Sequence, residues 1–282
     1  INQFKKLKSI NCKGKLIDLS TPKVMGILNL TPDSFYDGGK LTSEKDIVSR
    51  AEKMINEGAT FLDLGGYSSR PGAKFVSEEE EIKRVLPVVS LILKEFPDTL
   101  ISIDTFRSNI ARLCIENGAA LINDISAGNM DMNMFETIAN LQVPYIMMHM
   151  KGTPETMMQN TEYKDIIKEL LYYFSEKIAK ARSFGINDLL VDLGFGFSKT
   201  IDQNFELLSN LEFFKNLDVP MLVGISRKSM IYKSLDVSPK DALNGTTSLH
   251  TIALYKGASI LRVHDVKEAV ECIKLTQNLK QK

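Results

Sequence analysis

The sequence has no net charge, because 35 lysine and arginine residues are matched by 35 aspartate and glutamate residues. General nucleic-acid binders and proteins of acidic membrane surfaces need a basic excess, so the balance argues against both classes and leaves room for a local cationic site. The chain also lacks an apolar run near the ~18 residues that span a bilayer. Its most apolar stretch, 85–93, contains Pro87 and Ser90. We therefore expect neither a nucleic-acid partner nor a membrane partner.

Cysteine is scarce and scattered. Cys12, Cys114 and Cys272 are odd in number and far apart, and no CxxC or HxxxH spacing occurs. This pattern fits neither a disulfide framework nor a zinc site. The N-terminal segment carries lysines without the apolar block of a secretory signal. Together these absences predict a reducing compartment, the cytoplasm.

The sequence also contains no low-complexity linker and no seam rich in proline, glycine or serine. Its 282 residues, 44% hydrophobic and 25% charged, have the composition of an ordinary globular protein. What is present is a repeated pattern of a short apolar, β-prone run followed by a segment of helical periodicity. The apolar runs are 23–29, 60–65, 100–104, 120–124, 144–149, 189–192, 221–226 and 259–264. They are apolar throughout, as is typical of strands covered on both faces.

The segments between these runs carry helix signals. Ser77 followed by Glu80 is a capping-box pattern, and Pro87 is expected to kink or break the helix that follows. Glycines shortly before several strands suit the left-handed turn at a helix end: Gly58, Gly118, Gly185 and Gly257.

Eight β-then-α units in an uninterrupted chain predict an α/β protein with a (β/α)8 TIM-barrel fold. An open doubly wound sheet is the alternative, but no dinucleotide fingerprint follows the first strand. We expect a single domain over 1–282, with a short N-terminal extension (1–22) ahead of the barrel (23–282). The extension could form a small hairpin over the bottom of the barrel.

Polar residues stand where the apolar runs end. In a (β/α)8 barrel the carboxyl ends of all strands meet at one face, which carries the active site. Any one of these residues could instead cap a helix or start a turn. That explanation is poor when all the strand ends are considered together. They are Asn29, Asp63, Asp104, Asn123, Asp124, His149, Asp192, Ser226 and His264.

Two kinds of chemistry are expected at this mouth. The carboxylates of Asp104 and Asp192, with the amide of Asn123, suit a flat heterocycle with an amino-pyrimidinone edge. A second group of cations suits a phosphate or diphosphate: Arg70, Arg227, Lys228 and Arg262, with His264 beside Arg262. His149 is read as a hydrogen-bonded structural histidine.

The chain resembles the dihydropteroate synthases of the pterin-binding barrel family. The resemblance covers nearly the whole chain from about Lys23 onward and depends on an ordered set of motifs. They are MGILNLTPDSFYDGG (25–39), LDLGGYSSRPG (62–72), SIDTFR (102–107), INDISAG (122–128), MHMKGTP (148–154), DLGFGFSKT (192–200), GISRKS (224–229) and RVHDV (262–266).

This resemblance implies a transferase that condenses 6-hydroxymethyl-7,8-dihydropterin diphosphate with 4-aminobenzoate. It implies a pterin site formed by Asp104, Asn123, Met148, Asp192, Phe197 and Lys228. It implies diphosphate contacts from Asn29, Ser69, Arg70, Arg262 and His264, and an aminobenzoate site formed by Phe35, Pro71, Ser226 and Lys228. Asn29 would bind Mg²⁺, the expected cofactor. The residues expected to act in catalysis are Asp104, Lys228, Arg262 and His264.

The resemblance further implies a homodimer, through the last helices, and inhibition by sulfonamides that mimic aminobenzoate. We expect a dissociative displacement in which loops 31–40 and 67–74 close over the site and exclude water. Two alternatives remain: a methyltetrahydrofolate-dependent methyltransferase of the same group, and a non-catalytic pterin-binding relative. The motifs SSRPG, SRKS and RVH have no purpose in the methyltransferase.

Overall fold

The computed structural model describes residues 9–30, 36–37, 40–41, 44–67 and 75–280. Its strands are β1 (Ser9–Cys12), β2 (Lys15–Asp18), β3 (Lys23–Asn29), β4 (Tyr36–Asp37), β5 (Lys40–Leu41), β6 (Phe61–Gly65), β7 (Leu100–Asp104), β8 (Leu121–Asp124), β9 (Tyr145–Met148), β10 (Leu189–Asp192), β11 (Met221–Val223) and β12 (Ile260–Val263).

The helices follow the strands in alternation. They are α1 (Glu44–Asn56), α2 (Glu78–Glu95), α3 (Ser108–Glu116), α4 (Met134–Leu141), α5 (Ile166–Ser183), α6 (Ile201–Ser209), α7 (Ser229–Tyr232), α8 (Leu243–Lys256) and α9 (Val266–Lys280). Short 3-10 turns occupy Met157–Gln159, Leu211–Leu217 and Pro239–Asp241.

Eight parallel strands close into a barrel in the order β10-β11-β12-β3-β6-β7-β8-β9. Each of the apolar runs predicted as a strand contributes one barrel strand, so the (β/α)8 fold is confirmed. The last two predicted runs are longer than the strands observed. After Gly224 the chain turns at once, with Lys228 N–H donating to the Ile225 carbonyl and Arg227 at a φ of +53°. Ser226 and His264 therefore lie in the loops beyond their strands.

Alternation along the strands separates the barrel interior from the helix layer. The residues that share one face begin as an apolar layer that includes Phe61, Leu100, Leu121, Leu190 and Ile260. Two or four residues further along the same faces are Asp63, Asp104, Asn123, Asp192 and Arg262. The opposite faces, among them Leu62, Ile103 and Val191, pack against the helices in the main core. The interior is thus apolar at one end and polar at the carboxyl end.

A hairpin formed by β1 and β2 covers the apolar end of the barrel. The strands are antiparallel, with Ile10 opposite Ile17. Ile10, Cys12 and Ile17 are buried in one cluster with the bottom layer of the barrel. The hairpin lies at the end opposite the polar residues.

Helix α2 is capped as its sequence predicts, since the Ser77 side chain accepts a hydrogen bond from Glu80 N–H. Of the two outcomes expected at Pro87, a kink or a break, the break does not occur, since the helix runs on through this residue. Val85, Val89 and Ile92 are fully buried on one face of this helix. We attribute the continuity to this packing, which offsets the missing backbone donor. Among the helices in the described part of the chain, none has both the length and the apolar character needed to cross a membrane.

Candidate active site

A small cavity opens at the carboxyl end of the barrel. Every residue that the resemblance assigns to the pterin lines it: Asp104, Asn123, Met148, Asp192, Phe197 and Lys228. Ile125, Gly224 and Arg262 complete the lining. The strand ends thus bring together side chains from β7, β8, β9, β10 and β12, together with four residues from the loops that follow β8, β10 and β11.

Arg262 bridges two carboxylates at one side of the cavity. Its Nε donates to Asp63 Oδ2 at 2.6 Å, and its Nη2 donates to Asp104 Oδ2 at 2.8 Å. Asn123 Nδ2 also donates to Asp63 Oδ2, at 3.2 Å. Such charge-assisted contacts fix the guanidinium and both carboxylates in relation to one another.

Asp63 is a functional candidate to which the sequence analysis gave no role. It is fully buried, and its Oδ1 has no hydrogen-bond partner among the described residues. A buried, unpaired carboxylate oxygen is costly, so a polar partner at this position would be favourable. The available signal was its place at the end of a strand, shared with the residues that were assigned.

Burial dominates the titration of the cavity residues. It raises the pKa of Asp104 to about 7, with Arg262 opposing the shift and the charge of Asp63 adding to it. Burial also raises the pKa of Asp192, against the opposing effect of Lys228. The same desolvation lowers the pKa of Lys228 to about 8, although Asp192 acts in the other direction. The site therefore holds one acid and one base, Asp104 and Lys228, whose pKa values are about 7 and about 8.

Lys228 crosses the cavity toward the loop after β10. Its Nζ donates to the Phe195 carbonyl at 2.5 Å and lies 4.9 Å from the centre of the Phe197 ring. The Phe197 ring lies next to this cation and forms an apolar part of the cavity lining, to which Asp104 and Asn123 contribute polar groups.

The residues assigned to diphosphate are only partly described. Ser226 Oγ lies 3.1 Å from His264 Nδ1 and accepts the His264 backbone N–H at 3.2 Å, which joins the loops after β11 and β12. Asn29 ends β3 and continues the inward-facing series of Met25 and Ile27. Phe35, Ser69, Arg70 and Pro71 lie outside the described residues, as do most of the two loops expected to close.

Two further residues were singled out in the sequence. Arg227, considered as a phosphate ligand, instead pairs with both carboxylate oxygens of Asp265 at 2.8 Å and donates to the Pro239 carbonyl at 2.9 Å. Its guanidinium is therefore occupied by a structural ion pair. His149 is 3% exposed and its Nδ1 lies 3.1 Å from Lys199 Nζ, in agreement with the structural role predicted for it.

Fold and site together define a TIM-barrel protein whose mouth suits a polar heterocycle beside an anion. The sequence model described as pterin binding enzyme matches residues 25–264. The chain belongs to this family. The dihydropteroate synthase of Escherichia coli K12 is 46% identical over 267 residues, which are 94% of each chain.

Solved structures agree in fold over almost the whole chain. A Yersinia pestis dihydropteroate synthase in complex with a sulfonamide drug superposes with a TM-score of 0.92 at 39% identity, covering 97% of this chain and 100% of that one. A Xanthomonas albilineans dihydropteroate synthase with 4-aminobenzoic acid superposes with a TM-score of 0.91 at 36% identity, covering 98% and 100%.

Proposed function

We propose that this protein condenses 6-hydroxymethyl-7,8-dihydropterin diphosphate with 4-aminobenzoate, giving 7,8-dihydropteroate and diphosphate in folate biosynthesis. The observation that carries the proposal is the cavity in which Asp104, Asn123, Asp192 and Lys228 converge beside Arg262. Relatives that match along nearly the full chain are dihydropteroate synthases, and one of them is solved with 4-aminobenzoic acid.

Binding of the pterin follows from the donors and acceptors of the cavity. Carboxylates accept hydrogen bonds from ring N–H and amino groups, and the amide of Asn123 both donates and accepts. Phe197 and Met148 supply the apolar surfaces against which a flat ring packs. The positive end of Lys228 reaches the same cavity, where a pterin carbonyl oxygen or ring nitrogen would accept from it.

The reaction breaks the bond between the methylene carbon and a diphosphate oxygen, and the electron pair leaves with diphosphate. The aminobenzoate nitrogen then forms the new bond to carbon with its lone pair and loses a proton. The dihydropterin ring can delocalise the positive charge, so the protein needs no nucleophile of its own. Ionised Asp104 would stabilise the cationic pterin, while Arg262 and His264 would stabilise the departing anion.

Mg²⁺ fits the donors at the mouth. The side-chain oxygen of Asn29 is a neutral, hard ligand, and Mg²⁺ commonly takes one or two protein oxygens together with substrate phosphates. When bound, the ion would neutralise charge on the diphosphate. No group of three or more histidine, cysteine, aspartate or glutamate side chains in the described part of the chain forms a metal cluster. Asn29 is accordingly proposed as a ligand shared with the substrate.

A homodimer is also part of the proposal, through α8 and α9. Tyr255, Leu275 and Leu279 are 66%, 69% and 66% exposed on these two helices, and apolar residues this exposed suit a protein interface. Light scattering should give the mass of two chains, and Leu275→Asp should give one chain. Leu16→Asp, at an equally exposed leucine on β2, should leave the dimer intact. A wild-type monomer would refute this part.

The three cysteines are free and buried, as suits the reducing cytoplasm in which we propose the protein acts. Sulfonamides are proposed to compete with aminobenzoate, because a drug of that class is present in the related Yersinia structure. Competition is tested by measuring whether added aminobenzoate relieves the inhibition.

The reaction itself is tested by diphosphate release. The protein, Mg²⁺ and the pterin diphosphate should release diphosphate when aminobenzoate is added, and slowly without it. Lys228→Ala and Asp104→Asn should each cut turnover strongly and keep the fold. The control Lys256→Met, at the other end of the barrel, should keep both the turnover and the fold. Release that is independent of aminobenzoate would exclude the synthase, and no release at all would favour the methyltransferase or the non-catalytic relative.

A further inference from the structure

A buried lysine lies beside the cavity without lining it. Lys199 follows β10 and is only 2% exposed. Its Nζ lies 2.9 Å from the Phe197 carbonyl, 3.0 Å from the Gly194 carbonyl and 3.1 Å from His149 Nδ1, with the His149 carbonyl at 3.5 Å. An ammonium group has three donors. Each of them has a partner in this arrangement.

None of these partners is a carboxylate, and Lys199 takes part in no ion pair of the described residues. Burial consequently lowers the pKa of Lys199 well below its usual range, while the nearby charge of Asp192 opposes the shift. Burial together with the charge of Lys199 lowers the pKa of His149 to about 2, so its imidazole is neutral. Placing an amine here is costly for folding, and a methionine would fill similar volume without that cost.

The folding cost of burying this amine is explained by the loop that the amine holds in place. Residues 193–198 form a tight loop whose Gly194, Gly196 and Ser198 have φ values of +69°, +80° and +47°. Lys199 closes this loop on itself through two of its carbonyls and ties it to the end of β9 through His149. Lys199 therefore adds to the bonds that hold the loop from other directions, such as Phe197 N–H to the Gly194 carbonyl and Gly196 N–H to Asn204 Oδ1.

The same loop contacts the cavity at several points. Phe197 is one of its walls, the Phe195 carbonyl accepts from Lys228, and Gly194 N–H donates to Asp192 Oδ1 at 2.8 Å. A shift of the loop would therefore move the aromatic wall and the partners of Lys228 and Asp192 together. Of the residues assigned to aminobenzoate, only Lys228 contacts this loop among the described residues, so the pterin site would be affected more than the aminobenzoate site.

We propose that Lys199 is a positioning residue for the pterin, acting through Phe197 and Lys228 by holding the 193–198 loop in place. The proposal depends on the pterin-binding function given above and adds a residue to it. It separates Lys199 from the groups that touch substrate, and it predicts a specific loss of pterin affinity when the amine is removed.

The main test is Lys199→Met, with Lys256→Met as the matched control. Lys256 also donates to a backbone carbonyl, that of Ser209, and pairs with Glu212, but it lies at the far end of the barrel. The dissociation constant of 6-hydroxymethylpterin, measured by calorimetry, should rise about tenfold in Lys199→Met, as expected if the displaced loop costs the pterin one hydrogen bond to a charged group, that of Lys228. The KM for aminobenzoate, which shares only Lys228 with the affected groups, should rise by clearly less than the pterin dissociation constant. Lys256→Met should change neither.

A second variant covers the case in which Lys199→Met does not fold. His149→Phe keeps a ring among Tyr163 and Tyr173 but removes the acceptor, so it should weaken pterin binding in the same direction and by less. Unchanged pterin affinity in a folded variant would overturn the proposal, as would equal changes for both substrates.

Hydrogen exchange separates this proposal from the proposed function. The amides of Gly196 and Phe197 should exchange faster in Lys199→Met than in the wild type, whether or not the protein binds pterin. Faster exchange without pterin binding in the wild type would refute the function alone. Unchanged exchange in the variant would refute the positioning role alone.

Discussion

Asp104 brings folding and function into conflict. Its carboxylate is 16% exposed, bonded to Arg262, and has a pKa raised to about 7, first by burial and then by the charge of Asp63. An unfolded aspartate has a pKa of about 3.9. The folded state therefore holds a proton between about pH 4 and pH 7 that the unfolded state has released, and stability falls as the pH rises through that window.

Asp104→Asn should accordingly be slower and more stable. Asparagine keeps an oxygen for Arg262 but cannot ionise, so the folded variant avoids the penalty that the wild type carries above about pH 7. We expect its melting temperature to exceed that of the wild type by a few degrees at pH 8, and the difference to shrink at pH 5. Calorimetry at the two pH values checks this. The prediction would be contradicted if the melting temperature of the variant, minus that of the wild type, were smaller at pH 8 than at pH 5.

The pH profile provides a second prediction at the residue scale. Asp104 must be ionised to stabilise the cationic pterin, and Lys228, with a pKa near 8, must be charged to donate. The kcat/KM for the pterin diphosphate should rise through about pH 7 and fall above about pH 8. In Asp104→Asn the acidic limb should be absent from what activity remains. A wild-type profile that is flat from pH 6 to pH 9 would refute the assignment.

At the scale of elements, the loop after β10 depends on its glycines. Gly194 has a φ of +69°, and a Cβ there would lie 2.1 Å from the His149 carbonyl oxygen. Gly194→Ala should therefore displace the loop and abolish pterin binding. Gly185→Ala is the matched control, since Gly185 has a φ of +84° but nothing within 4 Å of a Cβ. It should cost about 1 kcal/mol of stability and leave binding intact. Equal binding by both variants, measured by calorimetry, would refute this account of the loop.

The elements were predictable because each strand alternates between two buried environments. Outward residues such as Val191 pack under helices, and inward residues such as Leu190 pack in the barrel, so a continuous apolar run predicts a strand covered on both faces. The ends of β11 and β12 were less predictable, because a turn at Arg227 is not visible in an apolar pattern. The absence of a break at Pro87 was unpredictable for a related reason, since buried neighbours decide whether a helix continues through a proline.

Residue type and position predicted the site where a polar residue and a strand end coincided, whereas Phe197 and Lys228, which lie in loops, were assigned through the family motifs. Asp104, Asn123 and Asp192 met both conditions, and all three line the cavity. Asp63 met them too, but its link to Arg262 spans 199 positions and is set by barrel closure. The ion pair of Arg227 could not be predicted, because its partner, Asp265, lies on another loop.

At the scale of the whole molecule, the barrel has a closed end and a functional end. The β1–β2 hairpin covers the closed end with Ile17, which is 7% exposed, while the adjacent Leu16 is 72% exposed. Ile17→Asp should lower the free energy of unfolding by about 3 kcal/mol, because it buries a charge among apolar side chains. Leu16→Asp should leave that free energy unchanged, as denaturant unfolding will show.

Activity of the folded fraction of Ile17→Asp should match the wild type at low temperature, because the hairpin lies opposite the cavity. If Leu16→Asp lost as much stability as Ile17→Asp, the assignment of the buried face of the hairpin would be contradicted. A fall in pterin affinity in folded Ile17→Asp would show that the two ends are coupled.

The neutral net charge of the chain conceals a polarised site, in which Lys228, Arg262 and His264 are set beside Asp63, Asp104 and Asp192. The central claim is that this mouth joins a pterin to an arylamine. Its most direct measurement is mass spectrometry of the products formed from the pterin diphosphate, 4-aminobenzoate and Mg²⁺. We predict one 7,8-dihydropteroate for each diphosphate released. Diphosphate without the joined product, or no reaction with either substrate, would contradict the account.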